Sequence, residues 1–243
     1  YDLDEDIHAV YAMADAQFDR LQVIGGLRVE HTDYSASGTR VSIDEQSGTG
    51  NPVLEPVSDD NSYTDFFPGL HLRYQLSERM VLRGALTRTI SRPGFEQISP
   101  RQNLEITDEG GGVFERNAEI GNPDLDPLES NNLDLRWEYY PGGIGVISAG
   151  VFYKQISDFF IVADTAGQAP FGNFDEVIQT INGDDADLFG LELEFVRQFS
   201  FLPAPWDGFL MQATYTLTDS ESDIPQLSST IPLPGQSDHI GNV

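Results

Sequence analysis

The sequence predicts an all-β chain, an antiparallel arc of membrane-spanning strands, on three observations. Apolar and polar residues alternate with period two in one stretch after another. The connections between those stretches alternate strictly between short and long. The apolar faces are almost free of charge over about ten residues, the length a tilted strand needs to cross hydrocarbon.

The weakest element is residues 7–18, IHAVYAMADAQF, rich enough in Ala to read as a strand or as a short helix. From 21 to 32, Leu21, Val23, Leu27 and Val29 share one face, and Gln22, Arg28, Glu30 and Thr32 share the other. From 69 to 76, Leu70, Leu72, Tyr74 and Leu76 oppose His71, Arg73 and Gln75. From 80 to 91, Met80, Leu82, Leu86 and Ile90 oppose Arg83, Thr87, Thr89 and Ser91. From 132 to 139, Leu133, Leu135, Trp137 and Tyr139 oppose Asn132, Asp134, Arg136 and Glu138. The same alternation runs through 146–155, 189–198 and 209–218. It makes about eight strands in all.

Three connections are tight, around Asp19-Arg20, around Ser77-Glu78 and at Pro141-Gly142-Gly143; a fourth, FSFLPAPWD, is modest. Between them run long polar stretches at 35–62, 92–130, 158–186 and from 219 onward. Outer-membrane barrels alternate short periplasmic turns with long extracellular loops, whereas soluble sandwiches seldom need several loops this long. Arg88 is the one charge on an apolar face, and it stands near a long-loop end where a cation reaches the interface. Trp137, Tyr139 and Tyr140, then Phe199, Phe201, Trp206 and Phe209, bunch at short-turn ends, and Phe159 and Phe160 at a long-loop end. Such girdles are expected at membrane interfaces. Taken alone, the pattern leaves a soluble β-sandwich open.

Charge narrows the function classes. The 243 residues carry 40 Asp and Glu against 13 Lys and Arg, a net charge of −27. That balance repels phosphate and excludes nucleic acid as a partner. There is no Cys, so neither disulfides nor thiolate chemistry enter. No run of about eighteen apolar residues is present to form a spanning helix. The chain opens at Tyr1 without a leader and stops at Val243 in mid-pattern, as an internal segment of a longer protein would.

The most specific text lies in the middle. LRGALTRTISRPGFEQISPR (82–101), GNPDLDPLESNNLDLRWEYYP (121–141) and GVFYKQISDFF (150–160) resemble the barrel of TonB-dependent outer-membrane receptors, in order and spacing. GGLRVEHTDY (25–34) and FPGLHLRYQLSERMVLRGALTRT (67–89) are similar to the family as well. The resemblance implies a barrel of about twenty-two strands with a plugged lumen. Residues 1–243 would be a single partial barrel domain from its later part, without the N-terminal plug, the TonB-contacting box or the closing strands. It further implies a Gram-negative outer-membrane location. The partners would be outer-membrane lipid, the protein's own plug, the TonB complex and a small-molecule ligand such as a siderophore, cobalamin or an oligosaccharide. A passive porin-like channel and a secreted carbohydrate-binding β protein are the rival functions.

No catalytic, cofactor or metal site is expected. His8, His31, His71 and His239 lack ligand spacing, and no nucleophile elbow or phosphate loop is present. Asn182-Gly183-Asp184-Asp185 and Asp219-Glu221-Asp223 read as solvated acidic loops, lacking the spacing of a calcium site. Pro93 cannot donate to a ladder, so Arg92-Pro93-Gly94 should end a strand and turn the chain off the wall. Leu125 and Leu128 are placed to tuck the returning loop against the rim. Cargo contacts are expected at the extracellular rim, from Arg92, Phe95, Gln97 and Arg101. The lumen-facing Arg73, Arg83, Arg136, Glu138, Glu192 and Glu194 are expected to face the plug.

Overall fold

The structure, a computed structural model, describes residues 1–47, 50–223, 230–233 and 235–243. The regular structure among them is strand, with a single 3-10 turn at Trp206–Gly208. Strands β1 (Asp2–Phe18), β2 (Leu21–Asp44), β3 (Val53–Ser77) and β4 (Met80–Ser91) follow one another as antiparallel neighbours. A hairpin of β5 (Gln102–Gly110) and β6 (Val113–Ile120) intervenes before β7 (Leu128–Tyr139), which pairs with β4. Next comes β8 (Gly145–Ser157), then a short pair, β9 (Phe160–Asp164) and β10 (Glu176–Asn182), before β11 (Asp185–Gln198) returns beside β8. The arc ends with β12 (Leu210–Ser222) and β13 (His239–Asn242).

The wall therefore runs β1-β2-β3-β4-β7-β8-β11-β12-β13, antiparallel throughout and not closed on itself. Its register carries the alternation across every strand. Leu70 lies opposite Leu86, Leu86 opposite Leu133, Leu133 opposite Tyr153 and Tyr153 opposite Phe189. These side chains form a continuous apolar row, yet they stay 37–52% exposed. A soluble sandwich would cover such a row with a second sheet; here that face is left for lipid. On the opposite face Phe152 lies flat over Gly190, where any Cβ would overlap its ring.

Several expectations need correction. The stretch 35–62 is not a loop, because β2 and β3 stay paired from Leu21↔Tyr74 up to Ser42↔Val53. The 24 residues of β2, at about 3.3 Å each, reach roughly 80 Å, some three times the ~25 Å apolar band of such walls. In the upper half one face (Thr32, Tyr34, Ala36) is buried, Tyr34 against Ile98 and Leu125 of the loop after β4. Asp33, Ser35 and Ser37 on the other face are exposed, so no run of apolar alternates marks it in the sequence. Pro56 fits there, since β3 pairs with β4 only from Gly69 downward and its upper flank is an edge.

The stretches 92–130 and 158–186 are likewise part strand. β5 joins β2 in parallel, Arg40↔Gln102 through Asp44↔Ile106, and β10 joins β6 in parallel, Asn117↔Glu176 through Ile120↔Gln179. The result is a crown of order β2-β5-β6-β10-β9 continuous with the wall. The β5–β6 turn is made by Gly110, Gly111 and Gly112, all at positive φ, a conformation that Gly adopts without steric cost. Lastly, Phe159 and Phe160 are not girdle residues. Phe159 is buried with Ile161 and Ala186, and Phe160 packs beside Leu125, because both belong to the crown.

The helix alternative for 7–18 is overturned, since all of β1 pairs with β2 from Asp2↔Ser37 to Phe18↔Leu21. β13 is a wall strand beyond the eight that periodicity reveals, because four residues are too few to show a period. Of the last long connection, 224–229 and 234 lie outside the described residues.

Candidate functional site: the crowned rim and the polar face

The crown is seated by a small core. Leu125 is fully buried against Tyr34 and Ile98, with Leu3, Tyr63 and Phe160 around them. By register, Leu3, Tyr34 and Tyr63 lie on the face that carries Arg73 and Arg83, so the loop after β4 leans over the polar face. Leu128 packs in the neighbouring cluster of Phe159, Ile161 and Ala186.

Local chemistry explains the path. The β4–β7 ladder ends at Ser91↔Leu128, immediately before Arg92-Pro93. Gln97 closes the next turn, its backbone N–H donating to the Gly94 carbonyl (2.9 Å) while its side-chain oxygen accepts from the Gly94 N–H (2.7 Å). On the return, the Tyr34 hydroxyl donates to the Pro123 carbonyl. Asn182 then ties the two loops together. Its amide donates to the carbonyls of Asp126 (2.9 Å) and Asp158 (2.8 Å), and its oxygen accepts from the Asp126 N–H (3.0 Å). Asn122 reciprocates, donating to the Thr180 carbonyl at 3.0 Å. Nothing in the spacing of Asn182 announces this role; only pairing with a segment 56 residues away creates it.

Among the rim residues, Arg92 donates to Glu30 at 2.6 Å and Thr32 at 3.3 Å, and stands 4.0 Å from Glu5. Arg101 reaches Glu96 at 2.9 Å and Glu119 at 3.2 Å. Gln97 is spent on its own turn. Phe95 projects, 53% exposed.

The six polar-face residues mostly meet one another. Arg83 donates through Nε to both oxygens of Glu138, at 3.0 and 3.1 Å. Arg136 pairs with Glu194, donates to Ser148 at 2.7 Å, and lies 3.6 Å from Glu138 and 3.9 Å from Glu192. Arg73 donates to Gln75 at 2.9 Å. On the apolar face, above the leucine row, Arg88 pairs with Glu129.

Charge is uneven in the crown. Burial, then the nearby Asp126, Glu129, Asp185 and Asp184, hold the Asp158 carboxyl above its ordinary range. Asp164 is held below it, because the Val177 and Ala166 N–H groups donate to its side chain. His8 and His31, distant in sequence, are register partners. Among the described residues no group of three or more His, Asp or Glu side chains is arranged to hold a metal.

A family model, "TonB dependent receptor-like, beta-barrel", matches residues 1–243, the whole chain. The chain belongs to the TonB-dependent receptor barrel family. Solved structures share the fold of this receptor barrel. The copper transporter OprC aligns with 91% of the chain at TM-score 0.62 and 18% identity. The Yersinia pestis ferric yersiniabactin uptake receptor FyuA aligns with 98% at TM-score 0.61 and 17% identity. The Serratia marcescens hemophore receptor HasR, solved with its hemophore HasA and heme, aligns with 98% at TM-score 0.61 and 12% identity. The chain spans 30% of the first two structures and 39% of the third. By sequence, no curated protein matches it.

Proposed function

We propose that this receptor barrel is the later part of a Gram-negative outer-membrane importer for a scarce solute, with a plug in its lumen and energy supplied through TonB. The observation that carries this reading is the crown. Two connections of the wall fold into one sheet that extends β2 and leans over the polar face, where a solute must be captured before it enters. Relatives of similar fold are named for copper transport, ferric yersiniabactin uptake and a heme-carrying hemophore; the cargo class here is a scarce metal complex or a solute of similar size.

In this reading Phe95 is the cargo contact of the rim set, because it projects. Arg92, Gln97 and Arg101 shape the rim, and a cargo group meets them only by competing with Glu30, Gly94 or Glu96. The acidic members of the polar-face network, Glu138, Glu192 and Glu194, face the plug.

Cells expressing the intact protein should accumulate a labelled solute of this class, and an uncoupler of the proton gradient should abolish accumulation. Uptake that persists under the uncoupler and follows the outside concentration would establish a passive channel instead.

A further inference from the structure

The arginines of the polar face form a row. Arg73 is the register partner of Arg83, and Arg83 that of Arg136, so three guanidiniums stand side by side on β3, β4 and β7. Like charges directly opposite one another repel. With 13 Lys and Arg against 40 acids in the chain, three adjacent cations are a marked concentration.

Their neutralisation is lopsided. Glu138 takes Arg83, and Glu194, with Glu138 and Glu192 nearby, takes Arg136. Arg73, at the other end, meets the neutral amide oxygen of Gln75. In front of the row lies a hollow of about 280 Å³ lined by Arg73, Arg83 and Arg136 together with Gln22, His71 and Asp134. Asp134 stands on β7, opposite Ala85, so it repels an anion from that side and leaves the Arg73 end as the favourable place.

We propose that this hollow is a carboxylate-binding site, with Arg73 as its primary ligand and Arg83 beside it. The planar guanidinium fork matches a carboxylate in two-point fashion. Gln75, on the same strand, is a neutral partner that an incoming anion displaces without separating an ion pair. The site has two sources for its ligand: an acidic group of the cargo, or an acidic side chain of a protein segment lodged against the wall. It rests on the reading that the polar face lines a lumen.

The test uses the intact protein in micelles, with citrate as probe and calorimetry as readout, comparing wild type with Arg73→Gln and Arg73→Lys. If soluble carboxylates are the ligand, citrate binds the wild type, Arg73→Gln weakens it about tenfold or more, and Arg73→Lys recovers part of the loss. If a lodged segment holds the site, citrate gives no heat, and Arg73→Gln lowers the urea concentration at which that segment becomes protease-sensitive. Either result supports the site. Arg73→Gln indistinguishable from wild type in both assays overturns it. Heat-modifiable gel migration of the wild type reports the barrel itself, so a failed barrel and a failed site give different results.

Discussion

Arg92, the first residue beyond β4, reaches across to Glu30 on β2 at 2.6 Å, tying the start of a surface loop to a wall strand two places away. Glu30 also accepts from Arg28 at 2.6 Å, so one carboxylate holds two guanidiniums on the polar face. Replacing Arg92 by Ala leaves Glu30 half-compensated at a partly buried position. The expected cost is about 1–3 kcal/mol, confined to the loop. Hydrogen exchange should rise in peptides from 92 to 127 and stay unchanged in β7 and β8; equal exchange in both variants would show that the pair is idle.

Gly121 stands where the returning loop passes Ser99, and a Cβ there would overlap the Ser99 carbonyl oxygen. A backbone oxygen cannot swing aside as a side chain can. Gly121→Ala should therefore cost about 1–3 kcal/mol and loosen the crown while the wall remains folded. Proteolysis within 95–125 at unchanged heat-modifiability is the expected pattern.

Asp158 combines a raised carboxyl pKa with a left-handed backbone, φ +58°. Its folded pKa lies above the unfolded value, so the folded crown binds the proton more tightly. The ionised group opposes folding at neutral pH, and this penalty fades as pH falls through the folded pKa toward the ordinary 3.8. Asp158→Asn, which tolerates left-handed φ, should stabilise the crown at pH 7 and lose that advantage on acidification. Urea midpoints followed by crown proteolysis at pH 7 and pH 4 measure the difference.

Leu135 lies on the apolar face between Leu133 and Trp137, opposite Gly84 and Val151. Leu135→Arg should cost about 2–4 kcal/mol if it sits near the bilayer midplane, whereas Asp134→Asn on the other face should cost little. Refolding yield into lipid vesicles separates the two.

The wall was legible in the sequence wherever one face meets an apolar medium and the other a polar one. Leu133 to Tyr139 on β7 alternate cleanly for that reason, and their turn ends at Pro141-Gly142-Gly143 as expected. The crown was not legible. In β5, Leu104 and Ile106 face the same side, but two apolar residues among Asn103, Glu105 and Thr107 occur equally in a loop, and a parallel ladder with β2 supplies what local pattern lacks. Asn182 and Tyr34 act through partners far along the chain. The Ser-Arg-Pro step marks where the chain leaves β4, yet sequence could not say that Arg92 and Arg101 would meet carboxylates of this chain. The arginine row was equally hidden, since each member looks like an ordinary polar alternate until register sets them side by side.

The most direct test of the account is oxygen accessibility along β7. Spin labels placed one at a time from 132 to 137, in the intact protein in bilayers, should report a period of two. Positions 133, 135 and 137 should be accessible to lipid-dissolved oxygen, and 132, 134 and 136 should be shielded from it. Accessibility without alternation, or with the polar positions facing lipid, would contradict the membrane wall on which every functional statement here depends.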